Sequence, residues 1–160
     1  MPKRKHSRKR RSRKSRSSIP KHYTAKLSRK DKKSQLKELK KSQKDYKEGK
    51  YHTRKKMKSF KNKKSNWTQQ FQKKYPEAKS LSQISKVTGI PKGALLAVKK
   101  KGMGAYYSSG SRPNQTAESW GLARMYAYIL GSPTRKVDYH ITEKYKIRFK
   151  TKPSYYSYKK

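Results

Sequence analysis

"TAESWGLARMYAYIL", Thr116 to Leu130, is the stretch whose reading decides the fold. Trp120, Ala123, Ala127 and Leu130 form one apolar stripe at helical spacing, and Leu122, Met125 and Ile129 form another. A helix that is apolar nearly all round belongs at the centre of a domain. Thr116 suits its N-cap, and Gly131 with Pro133 beyond suits its end.

Two further helical signals lie upstream. Trp67, Phe71 and Tyr75 recur every four residues after Ser65, a plausible cap, and Pro76 stops that run. "SLSQISKVTGIPKGALLAVKKKG" (80–102) then reads as a helical hairpin. Ser80 and Gln83 make a capping box, Leu81, Ile84 and Val87 or Thr88 give an apolar face, Gly89 suits the left-handed turn and Pro91 the first position of the next helix. Ala94, Leu95 and Val98 mark that second helix, which is expected to end with Lys99-Lys100-Lys101 before Gly102. The spacing fits a helix-turn-helix, yet Ser85 and Thr88 are polar where that motif is usually small or apolar, and "KGALLAV" offers few base-reading side chains. A base-reading motif, a phosphate-touching hairpin and a plain packed hairpin are all compatible with it.

Composition bounds the rest. The 160 residues hold 48 Lys+Arg against 8 Asp+Glu, a net charge of +40, and only 29% are hydrophobic. The core must be small, and a polyanionic partner is implied, with nucleic acid ahead of anionic membrane or acidic protein. Without cysteine there is no disulfide, thiol catalysis or cysteine-bound zinc, and His6, His22, His52 and His140 lack metal-ligand spacing. No metal cofactor or small-molecule substrate is expected. Neither a secretory leader nor an apolar run of membrane-spanning length is evident.

Residues 1–30 contain no acidic residue, and "PKRKHSRKRRSRKSRSS" alternates basic residues with serine. Such an arm is expected to be disordered when free and to neutralise phosphate. "SRKDKKSQLKELKKSQKDYKE" (28–48) favours a helix capped by Ser28. Its Leu36 and Leu39 are too few for a core stripe, so it reads as solvated or formed on nucleic acid. A basic linker with Tyr51 and Phe60 follows. In "KVDYHITEKYKIRFK", Val137, Tyr139, Ile141, Tyr145, Ile147 and Phe149 alternate as in a strand, although Asp138 can instead cap a short helix.

The expectation is therefore a mainly α protein: a small helical domain over 65–135 flanked by long disordered or extended polycationic arms. Those are a basic arm and linker over 1–64, with the 28–48 helix, and a strand-like tail over 136–160.

Between the hairpin and the central helix lies "KGMGAYYSSGSRPNQ" (101–115). Gly102 and Gly104 permit close backbone approach, Ser108, Ser109 and Ser111 offer hydroxyls, and the "SSGS" amides can form an anion nest. Arg112 adds a bidentate charge, and Tyr106 and Tyr107 can stack on bases. A phosphate-binding loop and a mere connection fit equally well. The nucleic-acid-binding candidates are Arg4, Arg8, Lys9, Arg10, Arg11, Arg13 and Arg16 in the arm and Lys55 and Lys56 in the linker. Lys99, Lys100 and Lys101 follow in the hairpin, and Tyr106, Tyr107, Ser109, Ser111 and Arg112 in the loop.

Lys101, Gly102, Gly104, Ala105, Tyr106, Ser109, Gly110, Arg112, Pro113, Trp120, Ala123, Arg124 and Asp138 also carry a resemblance. The pattern resembles a family of small basic proteins of large DNA viruses of algae and amoebae, with relatives in tailed phages. It spans about residues 54–138, including the lead-in "KSFKNKKSNWTQQFQKKY". The resemblance implies a viral setting rather than a mechanism: a virion, or a host nucleus or cytoplasmic virus factory. The function expected is a non-enzymatic structural protein that neutralises nucleic acid, DNA more than RNA, without sequence preference. A minor capsid or internal scaffold protein, its tails threading between capsid proteins or touching an internal membrane, is the alternative.

Overall fold

The structure, a computed structural model, describes residues 19–154. A 3-10 turn at Lys21–Tyr23 precedes seven helices: α1 (Arg29–Lys47), α2 (Asn66–Lys74), α3 (Leu81–Thr88), α4 (Lys92–Ser108), α5 (Ala117–Ile129), α6 (Thr134–Val137) and α7 (Tyr139–Lys144). Among the described residues there is no strand, and the chain is mainly helical. The candidates Arg4, Arg8, Lys9, Arg10, Arg11, Arg13 and Arg16 lie outside the described residues.

Helices α4 and α5 pack against one another along much of their length because two glycines face each other. A Cβ on Gly102 would stand 2.7 Å from Gly121 Cα, and one on Gly121 would stand 2.7 Å from Lys99 O. Here the close approach that glycine allows joins helix to helix. The α4 helix also runs seven residues past its expected end at Lys101, through Tyr106 and Tyr107 to Ser108. Around this pair, α2 lies on α5, while α1, α3 and α7 lie on α4. The core joins Phe71, Ile84, Ile90, Leu95, Val98, Met125, Tyr128, Ile129 and Ile141, with Phe71 stacked on Tyr126 at 4.3 Å.

This arrangement answers the helix-turn-helix question. The turn forms as read, with the Ser80–Gln83 capping box and Gly89 at φ 73°. Its two polar departures are local braces: Ser85 Oγ donates to Ile90 O at 2.7 Å and Thr88 Oγ1 to Ile84 O at 2.6 Å. Helix α4 packs against α1, α3, α5 and α7 and buries Ala94, Leu95, Val98, Gly102 and Tyr106. Its exposed face carries Lys92, Leu96 and Lys100, few side chains for reading base edges. Ser65, at the N-cap of α2, makes no side-chain cap bond, whereas Thr116 closes a reciprocal box with Ser119.

Two expectations are corrected. The alternating segment 137–149 is not a strand. Its first half forms α6 and α7, with Ile141 buried and Tyr145, four residues on, packed against the core, while Val137 and Tyr139 stay 64% and 57% exposed. A strand would have put all four on one face. Asp138 sits at the start of α7 but makes no side-chain cap. Its fully buried carboxylate instead takes both Arg124 Nε (2.9 Å) and Nη2 (2.8 Å), with Lys101 Nζ at 2.9 Å. Burial pushes this carboxyl up, but Arg124 and Lys101 outweigh it and hold it below the usual range.

The second correction concerns residues 28–64. Helix α1 forms, capped by Ser28, but it is packed rather than solvated: Gln35, Glu38, Leu39 and Ser42 are buried. The linker behind it doubles back along α1. Asp31, Glu38 and Asp45 stand seven residues apart, which on a helix is one edge. Asp31 accepts from Ser59 N (2.9 Å) and Oγ (2.6 Å), Glu38 from Lys55 N (3.2 Å) and His52 Nε2 (2.8 Å), and Asp45 lies 3.9 Å from His52. The partners run in reverse order, so residues 50–60 form an antiparallel strap. Hydrogen bonds from Ser59 hold the Asp31 carboxyl low. At Glu38 burial pushes up, and His52 and Lys55 more than reverse it.

Candidate nucleic-acid interface

The Tyr106–Arg112 region is assembled from below by α1 and the strap. The last carbonyls of a helix have no intrahelical donor, and here side chains from residues 35–54 supply them. Arg54 Nη1 donates to Tyr106 O (2.8 Å) and Ser42 Oγ to Tyr107 O (3.2 Å), and Gln43 Nε2 reaches Ser109 O at 3.4 Å. Arg54 Nη2 also donates to Ser111 Oγ at 2.7 Å, and its guanidinium lies 3.7 Å over the Tyr106 ring. Gly110, at φ 103°, admits Leu39: a Cβ there would meet the leucine at 2.7 Å. Asn114 Oδ1 accepts from Met57 N at 2.6 Å, while its Nδ2 donates to Met57 O at 3.0 Å.

The loop candidates therefore separate. Tyr106 is buried, its hydroxyl donating to Gln115 O at 3.1 Å, and burial raises its pKa. Ser111 is fully buried, its hydroxyl turned to Arg112 O and Arg54. Tyr107 lies half-buried beside Tyr46 and Tyr51. These residues connect and brace, and the "SSGS" turn is occupied by the protein's own side chains. Ser109 is exposed, and its carbonyl is the one that Gln43 reaches. Arg112 differs: it is exposed, with no hydrogen-bond or ion-pair partner among the described residues.

Two clefts meet at Arg112. One, of about 380 Å³, has Trp67 and Trp120 in its wall together with Lys63, Lys64 and Arg124. The other, of about 530 Å³, is bordered by Lys26, Phe60, Lys61 and Lys63. His22, Lys63, Arg112 and Gln115 line both, and neither cleft has an aspartate or glutamate in its lining. Cations and indole rings thus line one recess, residue types suited to contacting phosphate and bases. The sequence signal for it was "KSFKNKKSNW" (58–67), where basic and aromatic residues interleave. Lys63 and Trp67 of that run, and His22 upstream of it, are not among the binding candidates that the sequence offers, and Trp67 reads there as part of an apolar stripe.

The remaining candidates are dispersed. Lys99 pairs with Glu118 and Lys101 with Asp138, so both are spent within the fold. Lys100, Lys55 and Lys56 are exposed. Residues 20–147 match a family of unknown function, DUF5824. No curated protein and no solved structure matches the chain. The match begins just before the 3-10 turn, takes in α1 and the strap, and ends just beyond α7. With most of its length inside that match, the chain belongs to the DUF5824 family.

Proposed function

We propose that this is a non-enzymatic nucleic-acid-binding structural protein of a virion or its packaging machinery, neutralising DNA phosphates without reading sequence. The observation that carries the proposal is the pair of carboxylate-free clefts meeting at the unpartnered Arg112, on a chain of net charge +40. Asp31, Glu38 and Asp45 are held by the strap and Asp138 by Arg124 and Lys101, and the exposed carboxylates Glu48, Glu77, Glu118 and Glu143 are far outnumbered, so a polyanion meets mainly cations. The exposed face of α4, with Lys92, Leu96 and Lys100, carries few side chains suited to reading base edges, which supports binding without sequence preference. Phosphate contacts position a protein on nucleic acid but carry no sequence information. The viral setting rests on the resemblance of the 99–138 motif.

Salt titration of the full chain on duplex DNA tests this. Log affinity should fall linearly with log salt, losing about 10³-fold or more between roughly 50 and 200 mM, and scrambled sequences should bind alike. Arg112→Gln should keep the fold and reduce the slope by about 1. A shallow slope, or one sequence retained at high salt, would overturn the reading.

A further inference from the structure

The strap leaves the opposite side of α1 with a single kind of charge. Lys30, Lys33, Lys37, Lys40, Lys44 and Lys47 are spaced 3, 4, 3, 4 and 3 residues apart, the alternation that keeps side chains on one helical face. At 3.6 residues per turn this face lies opposite Gln35, Glu38, Leu39 and Ser42, which point into the protein. All six lysines are exposed. Among the described residues, Lys33, Lys37, Lys40, Lys44 and Lys47 have no ion-pair or hydrogen-bond partner for their side chains. The acidic residues of the helix proper, Asp31, Glu38 and Asp45, are held by Ser59, Lys55 and His52 on its inner edge. Intrahelical Glu–Lys pairing, the ordinary use of a lysine-rich helix surface, is therefore absent from this face.

We infer that the lysine ridge of α1 is a second polyanion site, a rigid track for the phosphate backbone of double-stranded nucleic acid. The inference rests on the nucleic-acid reading above and deepens it. Its geometry is a straight rod. From Lys30 to Lys47 the axis rises about 26 Å, which places a positive charge about every 5 Å. The ridge bears no aromatic side chain, and stacking platforms are what single-stranded partners require. Lysine is a point charge that holds phosphate without bidentate base recognition, so the track has no sequence preference. Packing on α4 fixes the helix before the partner arrives, so no backbone ordering cost falls on binding.

The test compares three full-length variants on a random-sequence duplex. Replacing Lys33, Lys37, Lys40 and Lys44 with Gln keeps helix propensity and should lower the salt slope by about 3 to 4. Replacing the same four with Arg should leave it unchanged. Replacing four exposed lysines elsewhere, Lys73, Lys79, Lys86 and Lys92, with Gln makes the same change in net charge and should alter the slope by less than about 1. Circular dichroism and a cooperative melt check each fold. Should the fourfold Gln variant not fold, the Lys37→Gln/Lys40→Gln pair should still lose about 2 from the slope. Equal losses in the ridge and control sets would overturn the track and leave general phosphate neutralisation standing. A loss seen only with single strands would overturn the choice of duplex. Failure of the wild-type chain to bind any duplex would overturn both this inference and the function it rests on.

Discussion

Gly121 and Gly104 lie on neighbouring helices but differ in what a methyl group would meet. At Gly121 a Cβ would fall 2.7 Å from Lys99 O and 2.8 Å from Met103 Cγ, and the first of these is backbone that cannot step aside. At Gly104 the nearest neighbour is the Tyr46 hydroxyl at 3.4 Å. Alanine is favoured over glycine inside a helix by about 1 kcal/mol. Gly104→Ala should therefore stabilise by about 0.5–1 kcal/mol, while Gly121→Ala should destabilise by about 1–3 kcal/mol as α4 and α5 are forced apart. Urea midpoints of the two variants check this, and a stabilised Gly121→Ala would show that the helices do not touch there. Asp138 has its own signature. Its carboxyl is lower in the fold than in the unfolded chain, so its contribution is complete above about pH 4 and fades as pH falls through the folded value. Asp138→Asn should cost about 3 kcal/mol near neutrality, and its deficit relative to wild type should shrink in acid. Denaturant melts at about pH 7, 5 and 3 read this directly. The motif placed Lys101, Arg124 and Asp138 in the sequence, but their meeting was not legible there. They come from three elements, and spacing says nothing about which cation finds which anion.

At the scale of elements, helices with apolar stripes and caps were readable, and what escaped was burial by hydrogen bonding. Helix α1 hides one leucine and three polar residues, so a hydrophobic count sees a solvated helix. Each buried polar residue there is accounted for by a bond, Gln35 to Ser111 O, Ser42 to Tyr107 O and Glu38 to the strap. Among the described residues no buried side-chain polar atom lacks a partner. The tail failed for a related reason: alternation was counted, but the four-residue step from Ile141 to Tyr145 was the one the core used. Arg54 is the side chain on which α1, the strap and α4 converge, largely desolvated, which alone pushes its pKa down. Arg54→Met should expose the consequences, because Tyr106 O would lose its charged donor and the tyrosine ring its cover. The expected cost is about 3 kcal/mol, with Lys recovering only part because it has no planar fork. A thermal melt of the two variants checks this, and a neutral Arg54→Met would mean that the strap is dispensable.

The whole molecule is set by which segments close its surfaces, and this gives the clearest contrast with a boundary drawn at residue 65. A fragment of residues 65–135 keeps α2 to α5 and most of the apolar core, which is why composition marks it as the domain. It lacks Leu39, which covers Gly110, and the Arg54, Ser42 and Gln43 donors to the carbonyls ending α4. It also lacks Asp138, leaving Arg124 and Lys101 side by side as like charges, and Ile141, which fills the core beside α4. Burying a leucine or isoleucine contributes about 1.5–3 kcal/mol and an internal hydrogen bond a net of about 0.5–1.5 kcal/mol, while a domain's whole margin is about 5–15 kcal/mol. Losing two apolar contacts, three hydrogen bonds and a buried carboxylate pair together should abolish cooperative folding. Residues 19–154 retain every one of these contacts and should unfold in a single transition, with amides of α4 and α5 the slowest to exchange. The measurement is urea unfolding and hydrogen exchange on both fragments. A cooperative melt from 65–135 would mean that α1, the strap and α7 decorate a self-sufficient core, and protection equal in the two fragments would say the same. Loss of structure in the shorter fragment alone would make the strap and the C-terminal helices integral to the fold, and with them the rigid backing that both cationic surfaces need.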